Sequence, residues 1–174
     1  IETLHAWLET AIAKVPDSLP TSIVHGDYRI DNVILASNKS EIVAVLDWEM
    51  STLGDPISDL AISLVYWSQV TDTLRKKVPV AEDVTSGPGF WSRQQVLDRY
   101  VDQTGLNISH LDECVALACF KLAVIMESIH HRNLTGQQLI AAAGAQSTMG
   151  EAAVALTELG LAVTTSGAIS ALNQ

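Results

Sequence analysis

The stretch IVHGDYRIDNVIL (residues 23–35) sets His25, Asp27, Arg29, Asp31 and Asn32 between two apolar runs. A tight turn needs only one or two polar residues to satisfy its backbone. Five within eight positions are the mark of a site. The flanks are β-branched: TSIV (21–24) reads as a short strand leading in, and VILA (33–36) and EIVAVLD (41–47) read as a hairpin across SNKS. Such a hairpin returns the end of its second strand beside the polar loop, so Asp47 is expected next to Asn32.

Outward from this element the pattern is helical. Leu4, Trp7, Leu8, Ala11, Ile12 and Val15 form an apolar stripe that ends at Pro16. STLGD (51–55) reads as a loop, with Asp55 as an N-cap and Pro56 at the first position of a helix to about Gln69. Residues 70–91 are irregular. Ser92 and Gln95 make a capping box for a helix closed by Gly105. Ser109 and Asp112 repeat that signal for a long helix to about Arg132, and the Ala-rich segment 137–163 is expected to be helical. The fold class is α+β, mostly helical, in one domain of 174 residues with a small β-hairpin carrying the polar loop.

Apolar residues make up 48% of the chain, enough for a core. A net charge of −10 argues against binding nucleic acid, because neutralising phosphates needs clustered Lys and Arg, and Arg75-Lys76-Lys77 is the one basic run. The purely apolar runs are short, so no membrane partner is expected. With Cys114 and Cys119 as its two cysteines, expected in the core, and no secretory pattern, the chain is expected to be cytoplasmic. It begins at Ile1 already inside an amphipathic stripe, which suggests a piece of a longer protein.

Phosphoryl transfer to an alcohol needs a carboxylate to orient the hydroxyl and take its proton, oxygen ligands for magnesium, and a cation near the transferred group. Asp27, Asn32, Asp47 and Arg29 supply that set. HGDYRIDN matches the H-G-D-x-x-x-x-N catalytic-loop pattern and thereby resembles the aminoglycoside phosphotransferase and choline kinase-like family, relatives of the protein kinases. LDWEMSTLGDPISDLA (46–61) is similar to that family's metal-binding Asp segment and following helix. FWSRQQVLDRYVDQTG and ALACFKLAVIMESIHHRNLTGQ resemble, more loosely, the branch related to kinase-like domains fused to acyl-CoA dehydrogenases.

The resemblance implies Asp27 as base, Asn32 and Asp47 as Mg2+ ligands, and Arg29 as a phosphate contact. It further implies that His25 buttresses the loop, that Asp59 hydrogen-bonds the loop backbone, and that Glu49 stands near the metal. ATP is the implied cofactor and a small-molecule hydroxyl the implied acceptor. Aminoglycosides, choline-like amines, sugars and hydroxyacyl thioesters are all used in the wider family. The branch favours a hydroxyacyl compound, whereas the acidic composition favours a cation. A kinase-like fold also has an N-terminal lobe with a phosphate-covering loop, and none precedes residue 25; Gly87-Pro88-Gly89 lies downstream in a loop. The chain therefore reads as a C-terminal lobe, inactive by itself. A non-catalytic binding module and a metal-dependent phosphoesterase remain the alternatives.

Overall fold

The structure is a computed structural model that describes residues 1–16, 18–38, 41–79, 83–136 and 146–174. Helix α1 (Glu2–Ile12) leads into strand β1 (Ser22–Val24), followed by β2 (Val33–Leu35), β3 (Ile42–Val45) and β4 (Thr52–Gly54). Then come α2 (Pro56–Tyr66), α3 (Arg93–Thr104), α4 (Leu111–Leu134), α5 (Gln146–Ser166) and α6 (Ala168–Leu172). The expected mostly helical α+β class is what folds. Residues 39–40 of the hairpin turn and 137–145 of the expected last helix lie outside the described residues.

Two antiparallel pairs frame the polar loop. β2 pairs with β3 with Val33 opposite Val45, and β1 pairs with β4 with Ile23 opposite Leu53. The second pair corrects the reading of 51–55 as pure loop. Three residues are too few to show an alternating pattern, and β4 forms only because β1, far away in sequence, offers its edge.

α2 starts as its sequence dictates: Asp55 Oδ1 accepts from the Ile57 N–H at 3.0 Å, and Pro56 needs no donor partner. It stops at Tyr66 rather than near Gln69, and two buried guanidinia mark the end. Arg75 donates to Val65 O at 2.9 Å and Tyr66 O at 2.8 Å, while Arg93 donates to Leu64 O at 3.1 Å and to Trp67 O. The last carbonyls of a helix lack intrahelical partners and carry its negative dipole end, so cations belong there. Arg75 was legible only as part of a basic run; it is 2% exposed.

α4 is the central helix. Val115, Ala116, Cys119, Leu122 and Ala123 are buried in a core shared with Leu4, Leu64, Leu156 and Leu159. By length and mean hydropathy (1.4) α4 would suffice to cross a membrane, contrary to the reading from uninterrupted apolar runs. Its apolar face is instead covered by α1, α2 and α5, the surroundings of a domain's core helix. Its expected capping box does not form. His110 stands at the N-cap without a side-chain cap bond, and Asp112 turns away to accept from Ala168 N–H at 2.7 Å, at the start of α6.

Candidate active site

The polar loop hangs from one face of α2. Asp59 accepts from the backbone N–H of His25 at 2.5 Å and of Gly26 at 2.8 Å. One turn on, the Ser63 hydroxyl donates to Tyr28 O at 2.7 Å. A further turn on, the Tyr66 hydroxyl stands near enough to Asp27 to feel its charge. Positions 59, 63 and 66 follow the i, i+4, i+7 spacing of a single helix face, so a polar stripe on an otherwise buried helix holds the loop. From the opposite side, Lys121 Nζ of α4 donates to Gly26 O at 2.7 Å.

Gly26 is required at its position. Its φ is +83°, and a Cβ there would stand 2.7 Å from Met50 O. His25 is 3% exposed, with Nε2 2.7 Å from Leu46 O and Nδ1 3.3 Å from the Asp27 N–H. An accepting Nδ1 places the ring proton on Nε2, which donates to the carbonyl just before Asp47. Trp48 packs on the imidazole, ring centroids 4.8 Å apart.

Asn32 sits in a 3-10 turn (Ile30–Asn32) and is 7% exposed. Its amide nitrogen donates to Asp27 O at 2.9 Å, which leaves Oδ1 as the free acceptor end. Its own carbonyl accepts from Leu46 N–H at 2.8 Å, so the hairpin does return Asp47 beside it. Among the described residues, Asp47 is the one non-glycine with positive φ, at +67°. A left-handed Asp at the end of a strand carries a local backbone cost, and its side chain is exposed. Glu49 is exposed in the next 3-10 turn, Trp48–Met50, two residues on.

Asp27 and Arg29 form the centre. Arg29 Nε lies 3.5 Å from Asp27 Oδ2, and Nη1 lies 3.4 Å from Asp31 Oδ2. These are ion pairs in both cases, yet Nε is buried without a hydrogen-bond partner among the described residues. The Arg29 guanidinium stands 5.3 Å above the Tyr66 ring centroid. Burial first, and the Asp27 charge second, push the Tyr66 hydroxyl far above its ordinary range. It therefore stays protonated beside Asp27.

Beside this centre opens a cavity of about 220 Å³ lined by Tyr28, Arg29, Ile30, Leu35, Tyr66 and Trp67 among others. Tyr66, Ser63 and Lys121 were not singled out from sequence. For the first two, the polar stripe inside the apolar pattern of α2 was the available signal; for Lys121, none was. Of the tryptophans, Trp67 lines the cavity, while Trp48 and Trp91 are about half exposed.

The family model described as "Phosphotransferase enzyme family" matches residues 1–88. The acyl-CoA dehydrogenase family member 10 of Mus musculus is 35% identical over 144 residues, 79% of this chain and 12% of that protein. Family member 11 of Rattus norvegicus is 32% identical over 141 residues, 78% of this chain and 17% of that protein. The chain thus spans under a fifth of these relatives. A solved structure from Ralstonia eutropha JMP134, assigned as an aminoglycoside phosphotransferase, is 28% identical with a TM-score of 0.65. That likeness covers 89% of this chain and 48% of the other.

Proposed function

The chain belongs to the phosphotransferase enzyme family, and from that premise we propose that it is the catalytic lobe of a kinase passing the γ-phosphate of ATP to a small-molecule hydroxyl. Asp27 is the base: it orients the acceptor hydroxyl and takes its proton as the oxygen attacks phosphorus. Arg29 meets charge on the transferred group. The observation that carries this reading is its Nε, buried beside Asp27 with no hydrogen-bond partner among the described residues. Buried donors are nearly always satisfied, and the cavity that Arg29 lines is where a ligand oxygen would reach its guanidinium.

The donor set fits Mg2+. Asn32 Oδ1 and the Asp47 carboxylate are hard oxygens, and they would hold the ion, which supplies neutralising charge to the phosphates when bound. Glu49 stands two residues from Asp47 and would act on that ion through water. A nucleotide-binding lobe would seat on the β2–β3 pair, where Ile34, Leu35, Ile42, Val43, Leu46 and Trp48 are exposed.

The cavity favours an acceptor with an apolar body. Its lining is largely aromatic and aliphatic, and its one charged residue among those described, Arg29, is already paired with Asp27 and Asp31, so the cavity offers an amine no carboxylate of its own. A hydroxyacyl compound suits it better. In the complete protein, Asp27→Asn should lower kcat by about 10²–10⁴-fold, the usual share of a positioned base. Turnover within a few-fold of the unaltered protein would sink the assignment. Comparing kcat/KM for a hydroxyacyl thioester and for an aminoglycoside then tests the acceptor class, with the amine expected to be the poorer substrate.

A further inference from the structure

The two oxygens of Asp55 serve different helices. Oδ1 caps α2, whereas Oδ2 faces α4 and lies 2.7 Å from His110 Nε2 and 3.7 Å from Cys114 Sγ. A carboxylate oxygen, an imidazole nitrogen and a sulfur therefore converge, all within 4.8 Å of one another. His110 and Cys114 are four residues apart at the start of α4, the spacing that puts two ligands on one helix face. His110 is 5% exposed.

Three roles compete for this cluster. A nucleophilic triad fails on geometry, because the thiol meets the carboxylate rather than the imidazole. The thiol is also held protonated: burial first, then the Asp55 and Glu113 charges, push it up to about 12. A plain clasp between α2 and α4 accounts for the Asp55–His110 hydrogen bond. It gives no role to the Cys114 sulfur, which turns to the same Asp55 oxygen. A divalent cation would give it one, since it favours the thiolate and offsets the Asp55 charge.

We infer that Asp55, His110 and Cys114 form a binding site for a soft divalent transition metal, zinc by its donor set, separate from the phosphoryl-transfer loop. One nitrogen, one sulfur and one oxygen suit tetrahedral zinc with a fourth position for water. Loading releases the Cys114 thiol proton to solvent, and the His110 proton shifts to Nδ1 to free Nε2. The bound metal would staple together the starts of α2 and α4. Those helices also hold the catalytic loop, α2 through Asp59 and α4 through Lys121.

Cobalt is the probe. The protein, stripped with chelator, is titrated with Co2+ and then with Zn2+, following the sulfur-to-cobalt charge-transfer absorption. The expected result is one equivalent of Co2+ with that absorption, displaced by Zn2+, and a higher melting temperature in zinc. Cys114→Ala should abolish the absorption, His110→Gln should weaken metal binding at least about tenfold, and Asp47→Asn should leave both intact. Circular dichroism establishes that each variant is folded. No charge-transfer absorption in the unaltered protein, or an absorption that persists in folded Cys114→Ala, would overturn the site.

Discussion

Tyr66 ties the two reactive side chains of the loop to the helix beneath them. Its hydroxyl stands beside the Asp27 carboxylate and its ring lies under the Arg29 guanidinium. Tyr66→Phe keeps the ring and removes only the donor. A hydrogen bond to a charged group is worth about 1.5–3 kcal/mol, so kcat should fall by about tenfold or more while the folded structure persists. Steady-state kinetics check this, and an unchanged kcat would leave Tyr66 a packing residue. His25, Asp27, Arg29 and Asn32 were legible from sequence because they crowd one short stretch, and Asp47 because a hairpin of β-branched residues had to return it. Tyr66 was not, because one more aromatic on a buried helix looks the same in sequence whether its hydroxyl meets a carboxylate or nothing.

Among the elements, α2 and α4 carry the site between them. Asp59 satisfies two loop N–H groups at once, and Asp59→Ala would strand both. Stability should drop by about 1.5–3 kcal/mol, as for lost bonds to a charged acceptor, read from the denaturation midpoint. Activity should fall further than that loss of folded protein explains, because the loop carries Asp27. α4 contributes a pH dependence through Cys119, whose burial pushes the thiol from its ordinary 9.0 up to about 12. Between those values the unfolded chain loses this proton and the folded protein keeps it, so stability is present below about pH 9 and declines as pH rises. The slope from this group approaches about 1.4 kcal/mol per pH unit, and Cys119→Ala should flatten its part of an alkaline unfolding series. The helices were readable because they are long and periodic. β4 and the stop of α2 were not, since partners distant in sequence determine both.

At the scale of the whole molecule, one buried cation gathers separate parts of the chain. Arg93 is fully buried and pairs with both oxygens of Asp72, at 2.8 and 2.5 Å. It also donates to Leu64 O at the end of α2 and to Leu172 O of α6 at 2.7 Å. Helices α2, α3 and α6 and the irregular segment between α2 and α3 thus meet on one guanidinium. Arg93→Ala leaves Asp72 charged and unpaired in the interior and strips partners from those carbonyls, which should cost about 3–5 kcal/mol. Such a loss lowers the melting temperature of a domain this size by roughly 10 °C. A second variant separates the two roles of the cation. Arg93→Met with Asp72→Leu removes both charges and refills the volume, an exchange that is often neutral for an ion pair considered by itself. If pairing were the whole of the role, the double variant would melt with the unaltered protein. The carbonyls of Leu64, Trp67 and Leu172 would still lack their donor, so the double variant should recover only part of the loss. Full recovery would show that capping α2 and α6 adds nothing measurable to the fold.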